Sequence, residues 1–142
     1  MLPNTWWFFA LLSAFFAALT AILAKIGIKN VDSDLATAIR TTVILVVAWS
    51  IALARGATAD LPMLTGKTYL FLGLSGFATG LSWLCYFRAL QLGTVTQVAP
   101  VDKLSVALAI VLAIVFLGET PTLKMAIGAG LIIAGTLVLI WQ

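Results

Sequence analysis

The chain has 142 residues, 63% of them hydrophobic and 9% charged, with eight Lys and Arg against five Asp and Glu, no His, and a formal net charge of +3. At a mean hydropathy of +1.16, a chain of this length cannot cover its own apolar surface in water, which excludes a soluble globular domain. The cations form no basic run, which excludes nucleic acid as a partner, and the missing histidine removes the commonest general base and metal ligand.

A helix rises about 1.5 Å per residue, so roughly 20 apolar residues cross a ~30 Å hydrocarbon core. Apolar runs predict five such helices, at about 6–28, 35–54, 69–92, 96–117 and 123–141. Within a bilayer the backbone must satisfy its own hydrogen bonds, and the alternating short strands of a barrel are absent. The predicted fold class is an all-α integral membrane protein with five transmembrane helices in one domain, 1–142. An odd number of crossings places the two ends of the chain on opposite sides.

The first helix follows a segment with no positive side chain, and its apolar run exceeds the ~7–15 residues of a cleavable signal core. Trp6 and Trp7 at its start and Trp141 after the last helix suit aromatic belts at opposite interfaces. The polar run 29–34 forms the first turn, with Ser33 or Asp34 as cap of the second helix. The stretch 55–67 holds Gly56, Asp60, Pro62 and Gly66 and is the longest loop, with a short interfacial turn. Gly93 and Thr94 join the third and fourth helices tightly. Gly118 to Pro121 end the fourth and open the fifth, with Thr120 as cap and Pro121 at the first helical position.

Small residues spaced four apart let helices approach closely in lipid, where no hydrophobic force drives them together. Gly76 and Gly80 in the third helix, and Ala126, Gly130 and Ala134 in the fifth, make such series. They predict packing faces, within the bundle or between subunits.

Lys and Arg counted by side give Arg55, Lys67 and Lys124 on the side where the chain begins, and Lys25, Lys29, Arg40 and Arg88 on the other; Lys103 lies inside the fourth helix. Three against four is close to no positive-inside bias. Either charges near helix ends blur the count, or the chain inserts in both orientations.

Charges at membrane depth cost about 2.5–3.5 kcal/mol each on insertion scales and point to function. Asp102 and Lys103 sit one turn beyond Pro100, which removes a backbone donor and should kink the fourth helix there. Successive helical residues point about 100° apart, so each needs its own counterpart, and Arg40 and Arg88 are the expected partners of Asp102. The cluster is either a substrate or ion site or a charge lock between helices. Trp83, Tyr86 and Phe87 share one face of the third helix, an aromatic wall for stacking or cation–π contact with a substrate, or a packing stripe. Trp49 is expected to join that cavity. Gln91 and Gln97 flank the turn between the third and fourth helices and offer amide hydrogen bonds to substrate or headgroup water.

Tyr86-Phe87-Arg88-Ala89-Leu90, Val98-Ala99-Pro100, Gly118-Glu119, the glycines Gly128, Gly130 and Gly135, and Arg40 after the first polar turn form a set whose order and spacing span the chain. In these residues the chain resembles the EamA-type repeat of the drug/metabolite transporter superfamily. Most proteins of that family carry two such repeats in inverted topology; this chain, with one, looks like a small five-helix bacterial or archaeal branch, and so a protein of the prokaryotic inner or cell membrane. Alternating access between inverted halves then requires a second copy inserted the opposite way. The resemblance implies a secondary transporter of metabolites, amino acids or drugs, an antiparallel homodimer with proton coupling to be tested at Asp102. A lipid-linked carrier flippase and a non-transporting membrane scaffold or accessory subunit are the rival readings. The expected partners are membrane lipid, a small-molecule solute and a second copy. No enzyme activity, cofactor or metal is expected.

Overall fold

The computed structural model describes residues 5–141; residues 1–4 and 142 of the expected single domain lie outside the described residues. Helix α1 spans Trp6–Gly27 and α2 spans Ser33–Ala54; a 3-10 helix covers Ala57–Met63; α3 runs Gly66–Leu92, α4 Val95–Asp102, α5 Leu104–Leu117 and α6 Leu123–Ile140. Among the described residues no strand occurs, and five helical stretches, with α4 and α5 counted as one, are long and apolar enough to cross a membrane. The all-α membrane class follows. At 27 residues α3 extends about 40 Å, more than a bilayer core requires, so it tilts or projects beyond the hydrocarbon.

The helix ends differ from expectation by one or two residues, each for a local reason. After α1, Asn30 takes a left-handed backbone with φ 65°, which its short polar side chain tolerates. The cap of α2 is Asp32, whose carboxylate accepts the amides of Asp34 at 2.9 Å and Leu35 at 3.1 Å. Ser33 and Asp34 are already helical, and a carboxylate at this end also meets the positive pole of the helix dipole. Thr65 caps α3 by accepting the Thr68 amide at 3.2 Å, and the Tyr69 hydroxyl donates to the Leu61 carbonyl at 3.0 Å, pinning the 3-10 helix to the start of α3. Gly118, at φ 68°, ends α5 in the left-handed conformation, and Glu119 N–H returns to the Ala113 carbonyl at 3.3 Å. The cap of α6 is Thr122, accepting from Met125 N–H at 3.2 Å, which moves the helix start past the expected Thr120 and Pro121.

The expected single fourth helix is α4 and α5, parted at Lys103 rather than at Pro100. Lacking an N–H, Pro100 leaves the Thr96 carbonyl without its intrahelical donor. The break falls later because the Pro100 carbonyl is taken by closer donors: Lys103 N–H at 3.0 Å, a 3-10 step, and the Thr136 hydroxyl of α6 at 3.2 Å. Val106 N–H repeats the tight step to the Lys103 carbonyl at 3.0 Å.

The chain divides into two compact units, the start of α1 up to Ile22 with everything from Leu92 onward, and Leu23–Gln91. In the first, α6 packs against α4 and α5, burying Ala107 and Thr136. In the second, Ile28, Ser33, Thr37, Phe87 and Leu90 are buried, Leu90 completely. These small cores leave most large apolar side chains exposed, as suits helices of membrane-spanning length.

The glycines of the small-residue series lie in open surroundings among the described residues. Gly80 is partly buried, Gly76, Ala126, Gly130 and Ala134 are exposed, and a Cβ added at Gly76, Gly80 or Gly130 would meet nothing within 4 Å. Spacing sets which residues share a face, but not whether a neighbour comes to it.

Asp32→Ala removes the α2 cap and is expected to lower stability by about 1 kcal/mol, read as a drop in Tm in a neutral detergent. Ser33→Ala, which leaves that cap intact, should cost less.

Candidate functional site

Helix α2 carries a polar stripe on an otherwise apolar cylinder: Ser33, Thr37 and Thr41 four residues apart, with Arg40 beside them. Thr37 and Thr41 hand their hydroxyl protons to the backbone four residues earlier, to Ser33 O at 2.8 Å and Thr37 O at 2.7 Å, so the stripe is tolerated in a lipid-spanning helix. Ser33 and Thr37 are 4% and 5% exposed, which turns this face inward within its unit. There it meets α3. The Arg40 guanidinium lies 4.1 Å from the Trp83 ring centroid and 5.4 Å from that of Phe87. Residues 83 and 87 are one turn apart and so stack along one face, which makes the two rings a single wall. Tyr86 is partly buried and meets Phe87 edge-on, with ring centroids 6.4 Å apart.

Polar ties at the end of this unit hold the two helices in register. Lys25 of α1 donates to the Leu90 carbonyl, and the Gln91 amide donates to the Val31 carbonyl between α1 and α2. Arg88 donates to Gln91 Oε1 at 3.1 Å, so it braces that tie. Beside it a cavity of about 430 Å³ is lined by Lys25, Ile28, Lys29, Asn30 and Gln91. Gln97 reaches back to the Thr94 N–H at 3.2 Å and so opens α4. Both glutamines thus have backbone work.

Trp49 does not join the aromatic wall. It lies nine residues beyond Arg40, about 13 Å along the axis, and lines a separate hollow of about 260 Å³ with Ala48, Ala52, Ala57, Thr58 and Leu61. Nine residues also turn the helix through about two and a half turns, so residue 49 sits on the face opposite residue 40 as well as at another level.

In the other unit, Asp102 and Lys103 pair with each other, Nζ to Oδ2 at 3.1 Å, with the side chains 36% and 57% exposed respectively. The expected partners Arg40 and Arg88 are engaged with Trp83 and Phe87 and with Gln91. The 100° separation of neighbours assumed an unbroken helix and a rigid side chain. Here the helix is interrupted at Lys103, and four rotatable methylenes bring the ammonium back across the turn. Pro100 sits just before, its carbonyl bonded to Thr136 of α6.

Sequence reasoning missed Ser33 and Thr37 as the inward face of α2, although their spacing was present as a signal. Thr136 as the partner of Pro100 left no signal, since 36 residues separate them.

Five helices long and apolar enough to cross a membrane, with charged side chains placed along them, define a helical integral membrane protein. The particular family follows from comparison with known proteins. The model of the EamA-like transporter family matches residues 4–141. A protein of Sinorhizobium sp, named an uncharacterized transporter in the cobO 3′ region, is 50% identical over 138 residues, covering 97% of this chain and 98% of the relative. No solved structure matches. The chain belongs to the EamA-like transporter family, and it is a membrane transporter.

Trp83→Leu removes the closer of the two π-faces and should lower stability by about 1–2 kcal/mol, whereas Leu90→Ala empties a fully buried site and should cost about 2–5 kcal/mol. Unfolding in a neutral detergent ranks the two; the reverse order would contradict the packing described for α2 and α3.

Proposed function

We propose that the protein is a secondary transporter of small organic solutes, of metabolite, amino-acid or drug type, working by alternating access as an antiparallel homodimer in a prokaryotic cell membrane. The observation that carries the reading is the family match across residues 4–141, which spans one five-helix repeat. Alternating access between inverted halves needs two repeats related by an axis in the membrane plane, and a second copy supplies the missing one. The near-equal Lys and Arg count on the two sides gives insertion no strong preference. The small-residue faces at Gly76, Gly80 and Gly130 stand open in the single chain, ready for a neighbouring helix of the second copy. Lipid covers the remaining apolar faces.

Asp102 is the group we assign to proton coupling. It is a carboxylate about 10 Å inside the stretch that begins at Val95, with a lysine in reach and a broken helix beside it. Protonation of Asp102 would release Lys103, and the exposed pair has room to rearrange. In proteoliposomes, Asp102→Asn is expected to abolish the pH dependence of solute flux while leaving gradient-driven exchange; unchanged pH dependence would remove Asp102 from coupling.

Orientation is tested in a Cys85→Ser background carrying Val31→Cys or Ala59→Cys, which lie at opposite ends of α2. Each is expected to label from both sides of sealed vesicles in comparable amounts. Labelling of each from a single side would overturn the antiparallel dimer.

A further inference from the structure

The aromatic wall of α3 is already occupied by a cation, and that cation belongs to the protein. Arg40 stands seven residues into α2, about 10 Å from its start at Ser33, with its guanidinium carbon over the Trp83 ring at 4.1 Å and the Phe87 ring at 5.4 Å. A cation–π contact uses the charge of the guanidinium and not its N–H hydrogen bonds, so the edge with five donors in a fixed fork remains. Among the described residues that edge makes neither an ion pair nor a hydrogen bond; the ion pair found there joins Asp102 to Lys103. The nearest polar neighbours on its helix, Thr37 and Thr41, are neutral hydroxyls whose protons go to backbone carbonyls. Besides the two rings, Arg40 interacts electrostatically with Tyr86 of the same wall, which in its phenol form carries no formal charge. The geometry that best completes a guanidinium edge is a two-oxygen anion.

We propose that Arg40 is the anion subsite of the transport site: the solute carries a carboxylate or phosphonate-type oxyanion, which docks bidentately on the guanidinium edge while Trp83 and Phe87 hold the plane. This rests on the transporter reading and narrows it. A wall that would select cations if bare instead selects anions, because Arg40 has reversed the sign of its surface. The Tyr86 ring, next to Phe87 on the same helix, extends the apolar surface for the rest of the solute.

The test uses the purified full chain in an uncharged detergent with phosphatidylcholine, and four probes of similar shape: benzoate, phenylphosphonate, benzyl alcohol and benzyltrimethylammonium. Calorimetric titration is expected to show saturable binding of at least one oxyanion and none of the ammonium probe. Arg40→Gln should weaken the oxyanion at least about tenfold, the loss of a charge-assisted bidentate contact. Arg40→Lys, which keeps a point charge without the fork, should fall between the two. Absence of oxyanion binding, preference for the ammonium probe, or undiminished affinity in Arg40→Gln would overturn the assignment; if that variant does not fold, Arg40→Lys and the wild-type probe comparison decide. A lipid headgroup offers the same chemistry, so the titration is repeated in nanodiscs with and without phosphatidylglycerol. Oxyanion affinity retained in the anionic lipid supports a solute site, whereas competitive displacement through Arg40 would make the occupant a headgroup and overturn the solute. Oxyanion binding without any flux would strike the transporter reading alone, and flux of other solutes without oxyanion binding would strike this inference alone.

Discussion

Hydrocarbon offers no partner to a backbone N–H or C=O, and this constraint orders the whole chain. It makes each crossing a helix and admits polar side chains only where a local acceptor takes their protons. Thr37, Thr41, Thr42 and Thr79 all donate to the carbonyl four residues back, which lets hydroxyls sit in apolar helices without unmet donors. It also means that helices gain little from apolar contact with one another, since lipid tails serve equally well. What holds α2 to α3, and α4 to α6, is therefore a handful of polar and aromatic contacts more than a broad core.

Two places depart from that economy, and both concern charge. In the unit of α2 and α3 a guanidinium is accommodated by rings; in the unit of α4 to α6 a carboxylate and an ammonium sit together at a helix break. The two solutions differ in what they leave over. The pair is internally neutral and partly exposed. The arginine rests against neutral rings. On the reading proposed above, the first is the group that exchanges a proton and the second the one that holds an anionic solute.

Helix existence was plain in the sequence because a bilayer-length apolar run has few alternatives. Helix ends were less plain: Asp32 rather than Ser33 or Asp34 caps α2, and Thr122 rather than Thr120 caps α6. Several polar residues in each turn qualify by type, and the backbone angle at one position chooses between them. The break after Pro100 was anticipated but misplaced, because its position depends on Thr136 from another helix. Trp49 was expected in the cavity with Trp83, but it lies both opposite Arg40 around the helix and about 13 Å along it, and lines a separate hollow.

By itself the sequence determined the class of the protein, the number of crossings and the family likeness, since hydropathy, turn residues and motif order are all local properties of the chain. The tertiary structure decided that Arg40 lies against Trp83 and Phe87, that Asp102 pairs with Lys103, and that a Cβ at Gly76, Gly80 or Gly130 meets nothing within 4 Å among the described residues. Those outcomes depend on which faces of separate helices come together. Periodicity can say which residues share a face, but only packing says what that face touches.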